Sequence, residues 1–395
     1  MSAPTSPIRI GIVAGETSGD LLGAGLMRAL KARLPRLEFE GIGGPAMQAE
    51  GCVSLFPMEP LSLIGFEALG EYPALVRLRR RLARHFLSRP PDIYIGVDVP
   101  DFNLTLEQRL RSAGVRTVHY VSPTVWAWRR WRIRKIRRAV DHMLVLFPFE
   151  AEFYRRQGIP VTFVGHPLAD LIEENYDPAA ARARLGLPRD RTVVALLPGS
   201  RSRELMRHAD LFVATALWLR RRRPGLHFVA PFVNGETMAV FQAALNRQGA
   251  GDLPVTLLRG RSREAMAAAD VVLLASGTAT LEAALLKKPM VVTYKVSLFS
   301  YLLIRLFSHV SRYSLPNNLA GREIVPEFLQ YNATPEKLGA AVEHYLGHPE
   351  ETTRLRELLS TLHRDLRQNA SDTAADAVLG LLPKTTTAGS AAANG

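Results

Sequence analysis

Short apolar runs alternate along this chain with longer stretches whose apolar positions fall three or four apart. The first periodicity belongs to buried strands and the second to amphipathic helices. Runs at residues 8–13, 93–97, 117–120, 143–146 and 162–164 read as strands. Helices are predicted at about residues 21–34 and 104–113. After a turn-rich stretch at 176–188 the rhythm restarts, with strands at 193–197, 227–231, 255–258, 271–274 and 290–293 and a helix at about 205–222. Strand–helix alternation gives parallel sheets with helical crossovers. The restart predicts an α/β chain of two doubly wound, Rossmann-like domains facing across a cleft, with C-terminal helices crossing back. Residues 1–185 with helices at about 352–382 form the first domain in this reading, and 186–351 the second. Residues 383–395 have the composition of a disordered tail.

In such sheets, ligands bind outside the carboxyl ends of the strands. The polar stretches that follow the strands are therefore the candidate chemistry. After the run at 271–274 comes Ser276-Gly277-Thr278, then a helical pattern with Thr280 and Glu282. A helix start with a glycine and hydroxyls can cradle a phosphate, and a carboxylate one turn in can accept ribose hydroxyls. An ordinary Ser/Thr N-cap followed by a first-turn acid would look the same. After the run at 193–197 comes Pro198-Gly199-Ser200-Arg201, where Arg201 could neutralise a diphosphate. A polar surface turn is the plainer reading. Two phosphate-type loops beside a ribose-type acid favour a nucleoside diphosphate. Neither loop is a Walker sequence, which argues against kinase or ATPase chemistry.

In the first half, the run at 8–13 ends in Gly15-Glu16-Thr17-Ser18-Gly19-Asp20, two acids in a loop better suited to hydroxyls than to phosphate. The run at 93–97 ends in Asp98-Val99-Pro100-Asp101. Asp98 is the candidate general base, and Asp101 the candidate helix cap. His119 and His166 also follow strands, although lone histidines are usually structural. Nothing has metal-ligand spacing.

Charge changes the picture of partners. The chain carries 50 Lys and Arg against 37 Asp and Glu, a formal +13. The excess is local, at Arg77–Arg84, Arg129–Arg138 and Arg220–Arg223. Such clusters suit anionic lipid, phosphorylated substrate or nucleic acid, or are simply solvated helix faces. The segment 61–87 mixes Ile64, Phe66, Leu69, Tyr72 and Leu75 with arginines. It is expected to lie in a membrane interface, or else to be a core helix with an arginine face. No uncharged stretch is long enough to span a bilayer. One cysteine, Cys52, and no apolar signal core in MSAPTSPIRI lead us to expect a cytoplasmic protein. The apolar segment 296–310 could line an acyl groove or a dimer contact.

Taken in order, VAGETSGD, GVDVPDFN, HYVSPTVWAW, LLPGSR, LASGTATLEA and SLPNNLAG resemble the lipid-A-disaccharide synthase family. The resemblance spans residue 8 to about 382. It implies the GT-B glycosyltransferase fold and no metal or other cofactor. It implies inverting transfer of 2,3-diacylglucosamine from its UDP derivative to 2,3-diacylglucosamine 1-phosphate. The products would be the β-1,6 lipid A disaccharide 1-phosphate and UDP. It also implies work on the cytoplasmic face of the inner membrane. A homodimer is expected, and no nucleic acid partner. By resemblance, Asp98 is the base, Glu16 an acid important for activity, and Arg201 and Glu282 contacts to diphosphate and ribose. Asn317 matches a cleft asparagine, and Asn317, Ser18 and His119 are expected to touch substrate. The rivals are another UDP-sugar transferase, a UDP-GlcNAc 2-epimerase, and a nucleic-acid-binding protein; ETSGD and VSPTVWAW disfavour the first two.

Overall fold

The computed structural model describes residues 7–62, 72–126, 130–295 and 312–382. Ile64, Phe66, Leu69, the segment 296–310 and the tail 383–395 lie outside the described residues. The chain forms two compact units, residues 1–167 with 368–395, and residues 168–367. The sequence reading placed these boundaries at 185/186 and near 352.

The first unit holds β1 (Ile8–Ala14), β2 (Leu37–Ile42), β3 (Cys52–Ser54), β4 (Ile93–Val97), β5 (Arg116–Tyr120), β6 (His142–Val145) and β7 (Val161–Phe163). The second holds β8 (Thr192–Leu197), β9 (Leu226–Phe232), β10 (Val255–Arg259), β11 (Val271–Ala275), β12 (Met290–Tyr294) and β13 (Glu327–Leu329). The described strands pair in parallel, in the orders β3-β2-β1-β4-β5-β6-β7 and β10-β9-β8-β11-β12-β13. Each sheet is the predicted doubly wound, Rossmann-like type. The chain starts mid-sheet, winds to one edge, then returns past its first strand to build the other side. That reversal opens a crevice at the carboxyl ends, between β1 and β4 in one unit and between β8 and β11 in the other.

Helices cover both faces, which is why the central strands are apolar throughout rather than alternating. All five residues of β4 and all five of β11 are buried. Three strands carry no apolar run and were not foreseen. β3 (CVS) and β13 (EFL) are three-residue edge strands of the first and second sheets, and β2 (LEFEGI), next in from β3, alternates exposed or partly exposed with buried positions over residues 38–41.

Several helices begin earlier than apolar periodicity suggests, at Thr17, Pro100 and Ser202. Their first turns are polar or small because they lie at the carboxyl edge of a sheet. The C-terminal helix Ala370–Leu379 packs on helix Thr17–Arg33, with Arg33 bonded to Asp372 at 2.8 Å and Asp376 at 2.7 Å. The preceding helix Pro349–Leu366 belongs to the second unit.

Candidate active site

In the first unit, β1 and β4 run side by side to their last residues, Ala14 opposite Val97. The loops carrying Glu16 and Asp98 therefore leave neighbouring strands at the crevice. Glu16, Thr17 and Ser18 are exposed, and no bond from the Glu16 side chain caps the helix it precedes. Asp20, from the same motif, is turned inward. Its carboxylate accepts the N–H groups of Gly44 (2.8 Å), Ala46 (2.9 Å) and Met47 (3.0 Å) and so fixes the loop after β2.

Asp98 and Val99 both adopt left-handed backbone, φ 54° and 43°. For a β-branched residue such as Val99 that conformation is strained, and it persists only where the surroundings over-determine it. Asn103 does much of this. Buried completely, it donates through Nδ2 to the carbonyl of Asp98 at 2.8 Å and accepts the Tyr94 hydroxyl at 2.9 Å. The Asp98 N–H is held by the carbonyl of Tyr120 at 2.8 Å. The Asp98 side chain is left half-buried at the crevice. Asn103 was not foreseen as functional, although it closes the GVDVPDFN stretch. Asp101 does not cap its helix; it lies in the first turn and pairs with Arg132.

His119 requires a correction. It has no exposed surface, and its Nδ1 lies 2.7 Å from Oε1 of Glu107, also fully buried. Burial pushes the Glu107 carboxyl up. A pair sealed between sheet and helix organises the core and cannot meet a substrate directly. His166 lies against Phe147, ring centroids 5.5 Å apart, and burial lowers its pKa to about 4, so it is neutral near pH 7. Leu75 is also corrected. It is 8% exposed and packs with Leu82, Phe86 and Leu106 in the core, because helix Tyr72–Ser88 turns its apolar face inward. The outward face of that helix carries Arg77, Arg80, Arg81 and Arg84.

In the second unit, Leu197 at the end of β8 lies opposite Leu274 of β11. The Arg201 loop and the Ser276–Thr278 turn thus share that unit's crevice. Arg201 is exposed and immediately precedes the long helix Ser202–Arg222. Glu204 steadies the loop by accepting the Ser200 N–H at 3.2 Å. His208, one turn on, is fully buried, donates to the Glu204 carbonyl (2.9 Å) and accepts the Lys295 N–H (3.0 Å), which ties this helix to the end of β12. Burial lowers its pKa, in keeping with a neutral ring.

Across the crevice, Gly277 and Thr278 are exposed, and a Cβ added to Gly277 would meet nothing within 4 Å. Ser276 and Thr280 face inward. Ser276 donates to the Tyr313 carbonyl (2.9 Å) and Thr280 to the Gly277 carbonyl (2.7 Å), so their hydroxyls shape the turn. Glu282 is partly exposed, 3.5 Å from Arg263. Asn317 is the last correction. It is fully buried, accepts from the N–H groups of Ile324 (2.7 Å) and Val325 (3.0 Å), and donates to the Val325 carbonyl (2.9 Å). Its Nδ2 also donates to Glu327 Oε1 at 2.7 Å, so both ends of the amide are committed within the fold and stabilise this region.

Residues 10–379 match the family described as lipid-A-disaccharide synthetase. A lipid-A-disaccharide synthase of Pseudomonas aeruginosa is 53% identical over 95% of this chain and 99% of its own length. One from Methylobacillus flagellatus is 49% identical over 94% and 99%. The chain belongs to the lipid-A-disaccharide synthase family. It is accordingly a glycosyltransferase of lipid A assembly. Among solved structures, a UDP-GlcNAc 2-epimerase from Neisseria meningitidis bound to UDP-GlcNAc shares the fold, with TM-score 0.61, 12% identity, and coverage of 94% of this chain and 100% of that one. MurG of Acinetobacter baumannii gives TM-score 0.52 and 13% identity, covering 95% and 99%. These likenesses place the synthase in the GT-B class by fold, while family membership comes from the close sequence relatives. No helix among the described residues is long and apolar enough to cross a membrane.

Proposed function

We propose that this synthase transfers 2,3-diacylglucosamine from its UDP derivative to the 6-hydroxyl of 2,3-diacylglucosamine 1-phosphate, releasing UDP. Asp98 takes the acceptor proton, and the acceptor oxygen displaces UDP with inversion at the anomeric carbon. Arg201, with the Gly277–Thr278 backbone, balances the charge that develops on the diphosphate. Glu282 accepts the ribose hydroxyls once Arg263 yields to them. Glu16 and Ser18, exposed beside Asp98, hold acceptor hydroxyls. The observation that carries this reading is the paired placement. Each unit presents two motif loops at the single reversal of its sheet, acids in one unit and an arginine with an open glycine turn in the other. Synthetic substrates test it. UDP release should require both acylated sugars and yield a disaccharide 1-phosphate. Equal turnover of an unacylated donor, or UDP-GlcNAc epimerisation in its place, would overturn the assignment.

We also propose that the enzyme works at the surface of an anionic membrane, where its acylated substrates reside, and acts there as a homodimer. The exposed arginine face of helix Tyr72–Ser88 supports the membrane part.

A further inference from the structure

We propose that Arg79, Arg132 and Lys135 form a site for a phosphate monoester, and that its ligand is the 1-phosphate of the acceptor sugar. The inference rests on the transfer reading above. The three cations come from three separate elements and converge on one strip of helix Pro100–Ser112. Arg79, from helix Tyr72–Ser88, donates Nη1 to the Asp101 carbonyl at 3.2 Å. Arg132 pairs with the Asp101 carboxylate. Lys135, one turn further on, donates to Thr105 Oγ1 at 2.7 Å.

This cluster is short of negative charge. Asp101 is the carboxylate paired within it, and its side chain is 55% exposed while that of Arg132 is 15% exposed. Nε of Arg79 is buried with no hydrogen-bond partner. Lys135 feels the imbalance: burial lowers its pKa, and Arg79 and Arg132 lower it further against the pull of Asp101 and of the more distant, His119-paired Glu107. Cations gathered out of water without matching anions are unfavourable, and an incoming dianion would relieve them. Guanidinium forks bind such oxygens bidentately. The cluster also lies at the N-terminal turns of a thirteen-residue helix, which itself favours an anion.

Its position fits the acceptor. Asp101 stands three residues after Asp98, on the first turn of the helix that follows β4. In a hexopyranose 1-phosphate, O1 and O6 flank the ring oxygen on the same edge of the sugar. Holding the phosphate at this turn would present that edge, and with it the 6-hydroxyl, toward Asp98.

The test compares acceptors with and without the 1-phosphate, using R132Q, R132K and the R79Q/R132Q double variant of the full chain. Wild type should prefer the phosphorylated acceptor. R132Q should cut that preference about 10-fold or more, as expected for one charge-assisted bond, through acceptor KM and not donor KM. R132K should restore part of it. In parallel, binding of glucosamine 1-phosphate is measured by NMR titration in the absence of donor, and thermal melting verifies that each variant folds. An unchanged preference in folded R132Q overturns the site while leaving the transfer reading intact. Glucosamine 1-phosphate bound by wild type and lost in R132Q, without disaccharide formation, leaves the phosphate site standing and sinks the transfer reading. If R132Q keeps its preference and instead sediments less with phosphatidylglycerol vesicles, the cations serve lipid head groups and the proposal fails.

Discussion

The side chain of Val99 fills the space that any side chain at position 15 would need: a Cβ built on Gly15 would stand 2.4 Å from Val99 Cγ2. The loops after β1 and β4 are thus packed into one another, so Glu16 and Asp98 are positioned together. Gly15→Ala should disturb both. We expect destabilisation of about 1–3 kcal/mol, the usual range for overpacking a close contact, together with lost turnover. Chemical denaturation and initial rates would measure the two. A variant with wild-type stability and rate would show the loops to be independent.

The Asp98 side chain carries little of the structure, since the turn is held by backbone groups and by Asn103. Asp98→Ala should lower kcat by about 10²–10⁴, the usual contribution of a general base. UDP affinity, measured by calorimetry, should stay near wild type. Full activity would remove Asp98 from the mechanism.

Asn103→Ala should behave differently. It leaves the buried Tyr94 hydroxyl and the partly buried Asp98 carbonyl without this partner. A loss of about 1–3 kcal/mol is expected for such unsatisfied groups. Activity should fall with it, because the left-handed turn at Asp98 and Val99 loses its tether.

Gly277→Ala separates binding from folding. The added methyl meets open space and no strained φ, so the melting temperature should not move. Donor KM should rise if the diphosphate approaches this backbone. An unchanged donor KM would place the nucleotide elsewhere.

Glu150 predicts a pH dependence of stability. It is buried below Trp126, which donates Nε1–H to it at 3.2 Å, and burial raises its pKa from 4.5 to about 8. Between those values the folded state binds more protons than the unfolded state. Stability therefore falls as pH rises from about 4.5 to 8 and levels off above. Glu150→Gln should flatten that decline in urea titrations across the range. A parallel decline in the variant would assign it to other groups.

The sequence alone determined most of the strand–helix alternation, the restart into a second unit and the loops to watch. These follow from local rules: fully buried parallel strands must be apolar, and ligand loops must follow their carboxyl ends. It could not show β3 and β13, which lie at sheet edges, or β2 beside β3, because positions at the margin of a sheet are less bound to be apolar. Nor could it sort motif residues by direction. Glu16 and Asp20, four apart in one motif, point to solvent and to backbone amides respectively, while His119 and Asn317 face inward. Only the tertiary structure decided which polar groups are consumed by the fold. Partners elsewhere in the chain engage them, Glu107 at Nδ1 of His119 and the backbone of Val325 at the Asn317 amide, because buried polar groups are costly unless the fold brings them a partner. What remains unspent at each sheet's reversal is the acid pair Glu16 and Asp98 in one unit, and Arg201 with the open Gly277 turn in the other.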